Sequence, residues 1–438
     1  MKDVEPLKVA LLGAGVVGSQ VARILTTEQQ TLESRIGRRL ELVGIGVRRS
    51  DVERGDIDPS LFTTDLMGLV TRGDLDLVIE VIGGIEPARS LLLAAMRHGA
   101  SVITANKALL AEEMGLLSRT ANENEVDLYY EAAVAGAIPI IRPLRESLVG
   151  DEIRAVMGIV NGTTNYILDK MTTAGMSFGE ALAEAQDLGF AEADPTADVE
   201  GHDAAAKAAI LAGLAFHTEI RREEVFCEGI SGVTEDDIAS AEAMGCVVKL
   251  LAIAKLTDEA EPRVIVKVHP TMVPKTHPLA SVSAAYNAVF VDSREAGQLM
   301  FLGQGAGGAP TASAVMGDVV TVARNRVRGS AAHVQTGYTH RQVAPIADAT
   351  ARYYISFDVE DRPGVLAACA TVFANHNVSL QTVQQSYLEG LRRRDGFAAR
   401  LGVMTHEASE RDLAGVLEEL ARSPFVGTRV DFMRVEGN

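Results

Sequence analysis

The chain has no tryptophan, few aromatic residues (5%) and only three cysteines in 438 positions. Cys227, Cys246 and Cys369 are scattered, with no C-x-x-C and no Cys/His pairing at zinc spacing. This excludes a disulfide framework or zinc module and points to a reducing compartment. Positive charge is also scarce. A net charge of −18 argues against nucleic acid or an anionic membrane as partner, so any anion site must be built locally. No apolar run is long enough to span a bilayer, and MKDVEPLKVALLGAG carries no cleavage signal. A cytoplasmic location is expected, and the glycosylation-like Asn161-Gly-Thr and Asn377-Val-Ser carry no weight without secretion. What is abundant is alanine and glycine, as in layered α/β proteins.

The length predicts two or three domains. Leu7–Leu12, residues 40–47, Leu75–Ile82 and Ser101–Thr104 read as buried strands; a helix follows the first, from about Val16 to Thr27, and helical sequence follows the last two. That alternation predicts a parallel, doubly wound sheet over 1–135. Residues 136–325 read as a less regular α+β domain. Its predicted strands are Glu152–Val160, Arg263–His269 and Asn287–Asp292. Its predicted helices are Phe178–Leu188, Gly201–Phe216 and Asp236–Ala254, with one more beginning near Pro310. A basic, polar stretch, 326–351, reads as a linker. Residues 352–438 restart as β-α-β-β-α-β.

Gly13-Ala-Gly15-Val16-Val17-Gly18 follows a predicted strand and opens a helix. In that context the three glycines serve a tight turn, close approach of pyrophosphate, and helix–sheet packing. The free N–H groups of the helix start would take the phosphates. The second strand ends in Arg48 and Arg49, where an acid would ordinarily hold the ribose hydroxyls. A guanidinium pairs with a 2′-phosphate, so Arg48 favours NADP, while Asp51 leaves NAD open and Arg49 reads equally as an exposed loop charge. Thr104 and Lys107, at the carboxyl end of the fourth predicted strand, point to the nicotinamide half.

Residues 191–207, AEADPTADVEGHDAAAK, hold Glu192, Asp194, Asp198, Glu200 and Asp203 ahead of one cation, Lys207. Asp203 and Lys207 lie four apart, on one helix face. Exposed, such a pair contributes only ~0.3–0.5 kcal/mol. The helix continues AAILAGLAF, apolar nearly all round, which predicts burial. A buried lysine needs partners, and its pKa moves toward neutral, where it can serve as general acid or base. The acids would hold a cationic substrate.

These motifs, with TANK, EAAVAGAIPII, NGTTNYIL, GQGAGGAPTASAV and DRPGVLA, resemble homoserine dehydrogenases of the long form with a C-terminal ACT domain, over nearly the whole chain. The long acidic motif is the most specific of them. The resemblance implies Lys207 as catalytic lysine and Asp203 as its partner in the substrate site. It implies Gly189, Glu192 and Asp198 as substrate residues, with Gly189 also beside the cofactor. It adds Lys107 and Gly307 to the cofactor contacts of the Gly13–Gly18 turn. It implies a monovalent-cation site, usually sodium, at Glu131, Val134, Gly136 and Ile138. The reaction implied is NAD(P)-linked interconversion of homoserine and aspartate semialdehyde, in a homo-oligomer (dimer or tetramer). The DRPG turn resembles ACT modules, which implies an amino-acid effector, with threonine expected; a purely structural module is the alternative. Two rival readings are a hydroxy-acid dehydrogenase, which would need a His–carboxylate pair at a strand end, and a silent regulator binding NADP and amino acids.

Overall fold

The computed structural model describes residues 5–49, 55, 57–257, 259–331, 341–387 and 397–437. The amino-terminal sheet has six parallel strands: β1 (Leu7–Leu12), β2 (Leu40–Gly46), β3 (Phe62–Thr63), β4 (Leu77–Glu80), β5 (Ser101–Thr104) and β6 (Leu128–Tyr129). Their order, β3-β2-β1-β4-β5-β6, is that of the Rossmann fold, with its crevice beyond the carboxyl ends of β1 and β4. Strand interiors are apolar because both faces are covered; every residue of β4 and β5 is buried.

Helix Gly308–Arg328 comes last in the second domain's sequence but packs into the first domain's core. Ala312, Val315, Val319, Val322 and Ala323 join residues of that core such as Val9, Leu11, Val21 and Ile79. The predicted boundary at 325 therefore falls inside a helix, and the first three residues of the expected linker are helical. Residues 332–340 of that linker lie outside the described part.

The second sheet begins with β7 (Ile153–Ile159), β8 (Phe226–Cys227), β9 (Cys246–Leu256), β10 (Val264–Pro274), β11 (Tyr286–Ser293) and β12 (Gly297–Gln304). The predicted helix over Asp236–Ala254 is a correction. A helix covers only Glu235–Ala243, Gly245 follows with φ +71°, and Cys246–Leu256 is a strand. A buried apolar run such as VVKLLAIA has no period that separates strand from helix; the left-handed glycine and antiparallel pairing with β10 along its full length decide it. Helix Gly162–Ala174 and β12 were also unread. Helix His202–Phe216 packs across β9 and β10 and against helix Lys107–Glu123, which brings the two domains together.

The C-terminal strands β13 (Thr350–Val359), β14 (Leu380–Tyr387), β15 (Ala399–Thr405), β16 (Ala408–Ser409) and β17 (Val426–Val435) form the expected β-α-β-β-α-β unit, in order β17-β13-β15-β14. This is the ferredoxin-like arrangement of ACT domains. The unit does not hang on a tether. β17 pairs in parallel with β10, Thr271 opposite Arg434 and Met272 opposite Val435, so one continuous sheet runs through both. Pro270, which has no N–H to donate, sits on β10 between the short pairing with β8 and the pairing with β17. Arg392–Arg394, read as a solvated charge run, lie outside the described residues.

Candidate active site

Asp203 is the first-turn acid of helix His202–Phe216, and Lys207 stands one turn later. Gly201, at φ +78°, caps that helix and turns the chain sharply into it. Both side chains are buried because the helix is covered on every side. Lys207 Nζ donates to Asp203 Oδ2 at 2.7 Å and to the Val160 carbonyl at 2.6 Å. An ammonium has three donors, so one is left for a substrate oxygen. The other carboxylate oxygen of Asp203 takes Lys107, the first residue of helix Lys107–Glu123. One buried carboxylate thus bridges two ammonium groups, one from each domain.

Burial alone would push the Asp203 carboxyl up. The charges and hydrogen bonds of Lys207 and Lys107 outweigh it and hold the group well below the usual carboxylate range. For Lys207 burial dominates and lowers the pKa, Asp203 opposes that, and the charge of Lys107 adds to it. A lysine so placed gives up its proton more readily than an exposed one.

Asn161 completes the group. Its Nδ2 donates to Asp203 Oδ2 at 2.9 Å and to Asp198 Oδ1 at 2.6 Å, while its Oδ1 caps helix Gly162–Ala174 by accepting from Thr164 N. Asn161 had no role in the sequence reading, although an Asn opening N-G-T-T is a helix-cap signal. A cleft of ≈660 Å³ opens above these residues, lined among others by Lys107, Glu192, Asp194, Asp198, Asp203 and Arg222. Arg222 and its neighbour Arg221 were also missed. The cleft therefore presents both signs of charge, as an amino-acid zwitterion requires. Of the two lysines it is Lys107 that lines it; Lys207 lies beneath. The five clustered acids divide. Asp194 also folds its own turn by accepting from Thr196, and Glu200 faces away to Ser231 Oγ at 2.6 Å. Gly189, at φ +76°, ends the turn after helix Phe178–Asp187 on the exposed side and brings Glu192 back to the cleft.

At the nucleotide end, a Cβ added to Gly18 would stand 2.1 Å from the Gly13 carbonyl, so this glycine is the helix–sheet contact. A Cβ on Gly15 would meet nothing within 4 Å, which leaves open space where a phosphate must approach the backbone. Val16 and Val17 open helix Val16–Thr27, and Val16 is exposed. Gly307 caps helix Gly308–Arg328, and a Cβ on Gly308 would come within 2.9 Å of Val16. Two helix amino-termini thus converge on one spot, and the residues fit a pyrophosphate. Arg48 is exposed at the end of β2. Thr104 is fully buried; its hydroxyl donates to Glu80 and accepts from Asn106 N, so it is committed to holding the strand end. Asp51 lies outside the described residues.

Glu131 spends both carboxylate oxygens on the N–H groups of Ile141 (2.8 Å) and Arg142 (2.9 Å). Ala135 and Gly136, both at φ +56°, fold the next turn, and Gly136 packs on the Gly305 carbonyl. Among the described residues neither the Val134 nor the Gly136 carbonyl accepts a hydrogen bond, and Val134 and Gly136 are both buried. The turn therefore offers neutral carbonyl donors, which suit a singly charged cation. No cluster of three or more His, Cys, Asp or Glu side chains suited to a metal ion occurs among the described residues, nor any helix long and apolar enough to cross a membrane.

Family models match three consecutive parts of the chain: a homoserine dehydrogenase NAD-binding domain over 13–131, homoserine dehydrogenase over 139–320, and an ACT domain over 353–425. A homoserine dehydrogenase of Mycobacterium tuberculosis is 51% identical, over 99% of each chain. That of Corynebacterium glutamicum is 50% identical, over 98% of this chain and 95% of its own. Among solved structures, a homoserine dehydrogenase from Thiobacillus denitrificans superposes with TM-score 0.89 at 34% identity, covering 99% of this chain and 98% of its own. A hyperthermophilic archaeal homoserine dehydrogenase in complex with NADPH covers 73% of this chain and 98% of its own, with TM-score 0.61 at 28% identity.

Proposed function

The chain belongs to the homoserine dehydrogenase family, and on that footing we propose that it interconverts L-homoserine and L-aspartate 4-semialdehyde through the Lys107–Asp203–Lys207 centre. The observation that carries this is one buried carboxylate held between two lysines at the edge of a cleft of mixed charge. Glu192 and Asp198 hold the substrate ammonium. A bound nicotinamide supplies or accepts the hydride. Lys207 gives its proton to the oxygen that becomes the alcohol, and removes it in the reverse direction. Asp203 keeps Lys207 charged until then and fixes its position; Val160 fixes it from the other side. Asn161 keeps Asp203 and Asp198 in register. Because Lys107 is the lysine that lines the cleft, a second reading gives it the proton transfer, with Lys207 holding Asp203.

Arg48, exposed where a ribose would lie, favours NADP over NAD. The carbonyls of Val134 and Gly136 hold a monovalent cation, sodium being the expected one, with Glu131 and Ile138 framing the turn. The enzyme works in the cytoplasm, as a dimer or tetramer, in the route to threonine, methionine and isoleucine. Its ACT module binds an amino acid, threonine by expectation, at the Asp361–Gly364 turn, where a cleft of ≈460 Å³ opens at the start of helix Val365–Asn375. The test is direct: NADPH consumption with aspartate semialdehyde, with and without threonine. No consumption would refute the activity. Full activity in saturating threonine, with no heat of binding, would leave the module structural.

A further inference from the structure

Outside the site just described, a cluster of buried charge lies where the ACT module meets the catalytic sheet. Arg434, near the end of β17, is 5% exposed. Its guanidinium holds Glu410 of the module through Nε and Nη2, and Nη1 reaches Glu228 Oε2 of the catalytic domain at 2.8 Å. Glu228 is not on a free loop. Its N–H donates to the Val268 carbonyl of β10 at 2.8 Å. On the other side its short segment is seated against Val199–Gly201: Ile230 N–H donates to the Val199 carbonyl at 2.7 Å, and Cys227 Sγ donates to the Glu200 carbonyl at 3.3 Å. There is no slack between them. A Cβ on Gly229 would stand 2.4 Å from the Val199 carbonyl, and one on Gly201 would stand 3.1 Å from Cys227 Sγ. Val199–Gly201 lies between Asp198 and Asp203 in sequence and sets the angle at which the helix of Asp203 and Lys207 begins.

We propose that Glu228 and Arg434 are a positioning pair, through which the last strand of the ACT module fixes the shoulder of the catalytic helix and so the substrate end of the cleft. The proposal rests on the reading of Asp203 and Lys207 as the reacting centre. Two features separate it from plain structural support. The Glu228 side chain is half exposed, and Arg434 keeps Glu410 without it, so loss of the Glu228 charge strands no buried ion. The contact is made by a domain none of whose described residues lines the cleft. A shift of β17 therefore passes to Asp198, His202 and Asp203 with only the Glu228 segment between. Such a coupling has content only as a difference between two states that both ends sense.

The experiment uses the full chain. Glu228→Gln should leave the melting temperature near wild type, raise the KM for homoserine about fivefold or more, and leave the KM for NADP unchanged. Glu228→Asp, which keeps the charge, should recover most of the loss. Arg434→Gln should show the same selective effect, and the double variant should be no worse than the worse single one. If Arg434→Gln does not fold, the two Glu228 variants decide. Wild-type kinetic constants in Glu228→Gln would overturn the proposal, as would losses that multiply in the double variant or fall equally on both substrates. These outcomes are distinct from failure of the site itself, which would show as an active Lys207→Ala.

Discussion

Removing the carboxylate of Glu436 should destabilise the joint between the ACT module and the catalytic sheet. Lys267, on β10, is wholly buried, and its Nζ lies 2.6 Å from Glu436 Oε1; Lys255 approaches the other oxygen at 3.7 Å. Burial would push the Glu436 carboxyl up, but these two cations outweigh it and hold it below its ordinary value. In Glu436→Ala the Lys267 ammonium is left in the sheet without a counter-charge. Breaking a buried pair from one side costs about 3–5 kcal/mol. With an unfolding entropy of ~2.1 cal/mol/K per residue, a cooperative unit of 438 residues shifts by about 1 °C per kcal/mol, so the melting temperature should fall by roughly 3–5 °C. The double variant Glu436→Leu/Lys267→Met replaces both charges by apolar groups and should recover most of the loss, because the desolvation of both ions disappears with the pair. The assay is thermal unfolding of the full chain, followed by circular dichroism. A single variant as stable as wild type would refute the claim that module and catalytic sheet form one structure. By the same physics, truncation near Arg341 should destabilise the remaining enzyme, contrary to the separable module that a polar linker suggests.

Three further outcomes follow from the site. Gly15→Ala should fold normally and weaken NADPH binding, since its Cβ enters only the space reserved for phosphate, whereas Gly18→Ala should destabilise the domain by collision with the Gly13 carbonyl; calorimetry and melting curves separate the two, and equal effects would contradict the assignment. Arg48→Asp should lower kcat/KM with NADPH roughly tenfold to a hundredfold more than with NADH, the scale of a charge-assisted contact of about 1.5–3 kcal/mol; equal losses with both cofactors would remove Arg48 from the 2′-phosphate site. With Lys207 as the proposed base of homoserine oxidation, kcat should rise with pH through a midpoint below the ordinary lysine value of 10.5. Asp203 attracts the proton onto Lys207, so Asp203→Asn should move that midpoint to lower pH, and an upward shift would contradict the geometry.

The parts legible in the sequence were those in which local pattern and global role coincide. Leu7–Leu12, Gly13–Gly18 and the following helix read directly, because a buried parallel strand, a glycine turn and a 3.6-residue period each leave their own mark. The Asp203–Lys207 pair was legible from i,i+4 spacing in an all-apolar helix. The bridge from Asp203 to Lys107 was not: the two are 96 residues apart, and nothing local says that two helices from different domains will cross there. Asn161 was hidden for the same reason, since its cap role is local but its bonds to Asp198 and Asp203 are tertiary. Cys246–Leu256 was misread because an apolar run buried on both faces has no period. The docking of β17 on β10 was invisible because Lys267, Arg434 and Glu436 are ordinary charges in sequence and become a buried network only after the sheets join.

In the proposed mechanism Lys207, held by Asp203 and the Val160 carbonyl, moves the proton that accompanies hydride transfer. The most direct measurement is the kcat of full-chain Lys207→Ala for NADPH-dependent reduction of aspartate semialdehyde, with NADPH affinity measured on the same preparation. The expected result is a fall in kcat of about 10²–10⁴-fold, the contribution of a positioned general acid, with NADPH affinity within about twofold of wild type. A Lys207→Ala enzyme that keeps the wild-type kcat would contradict it, and if Lys107→Ala alone then lost activity, the proton would belong to Lys107.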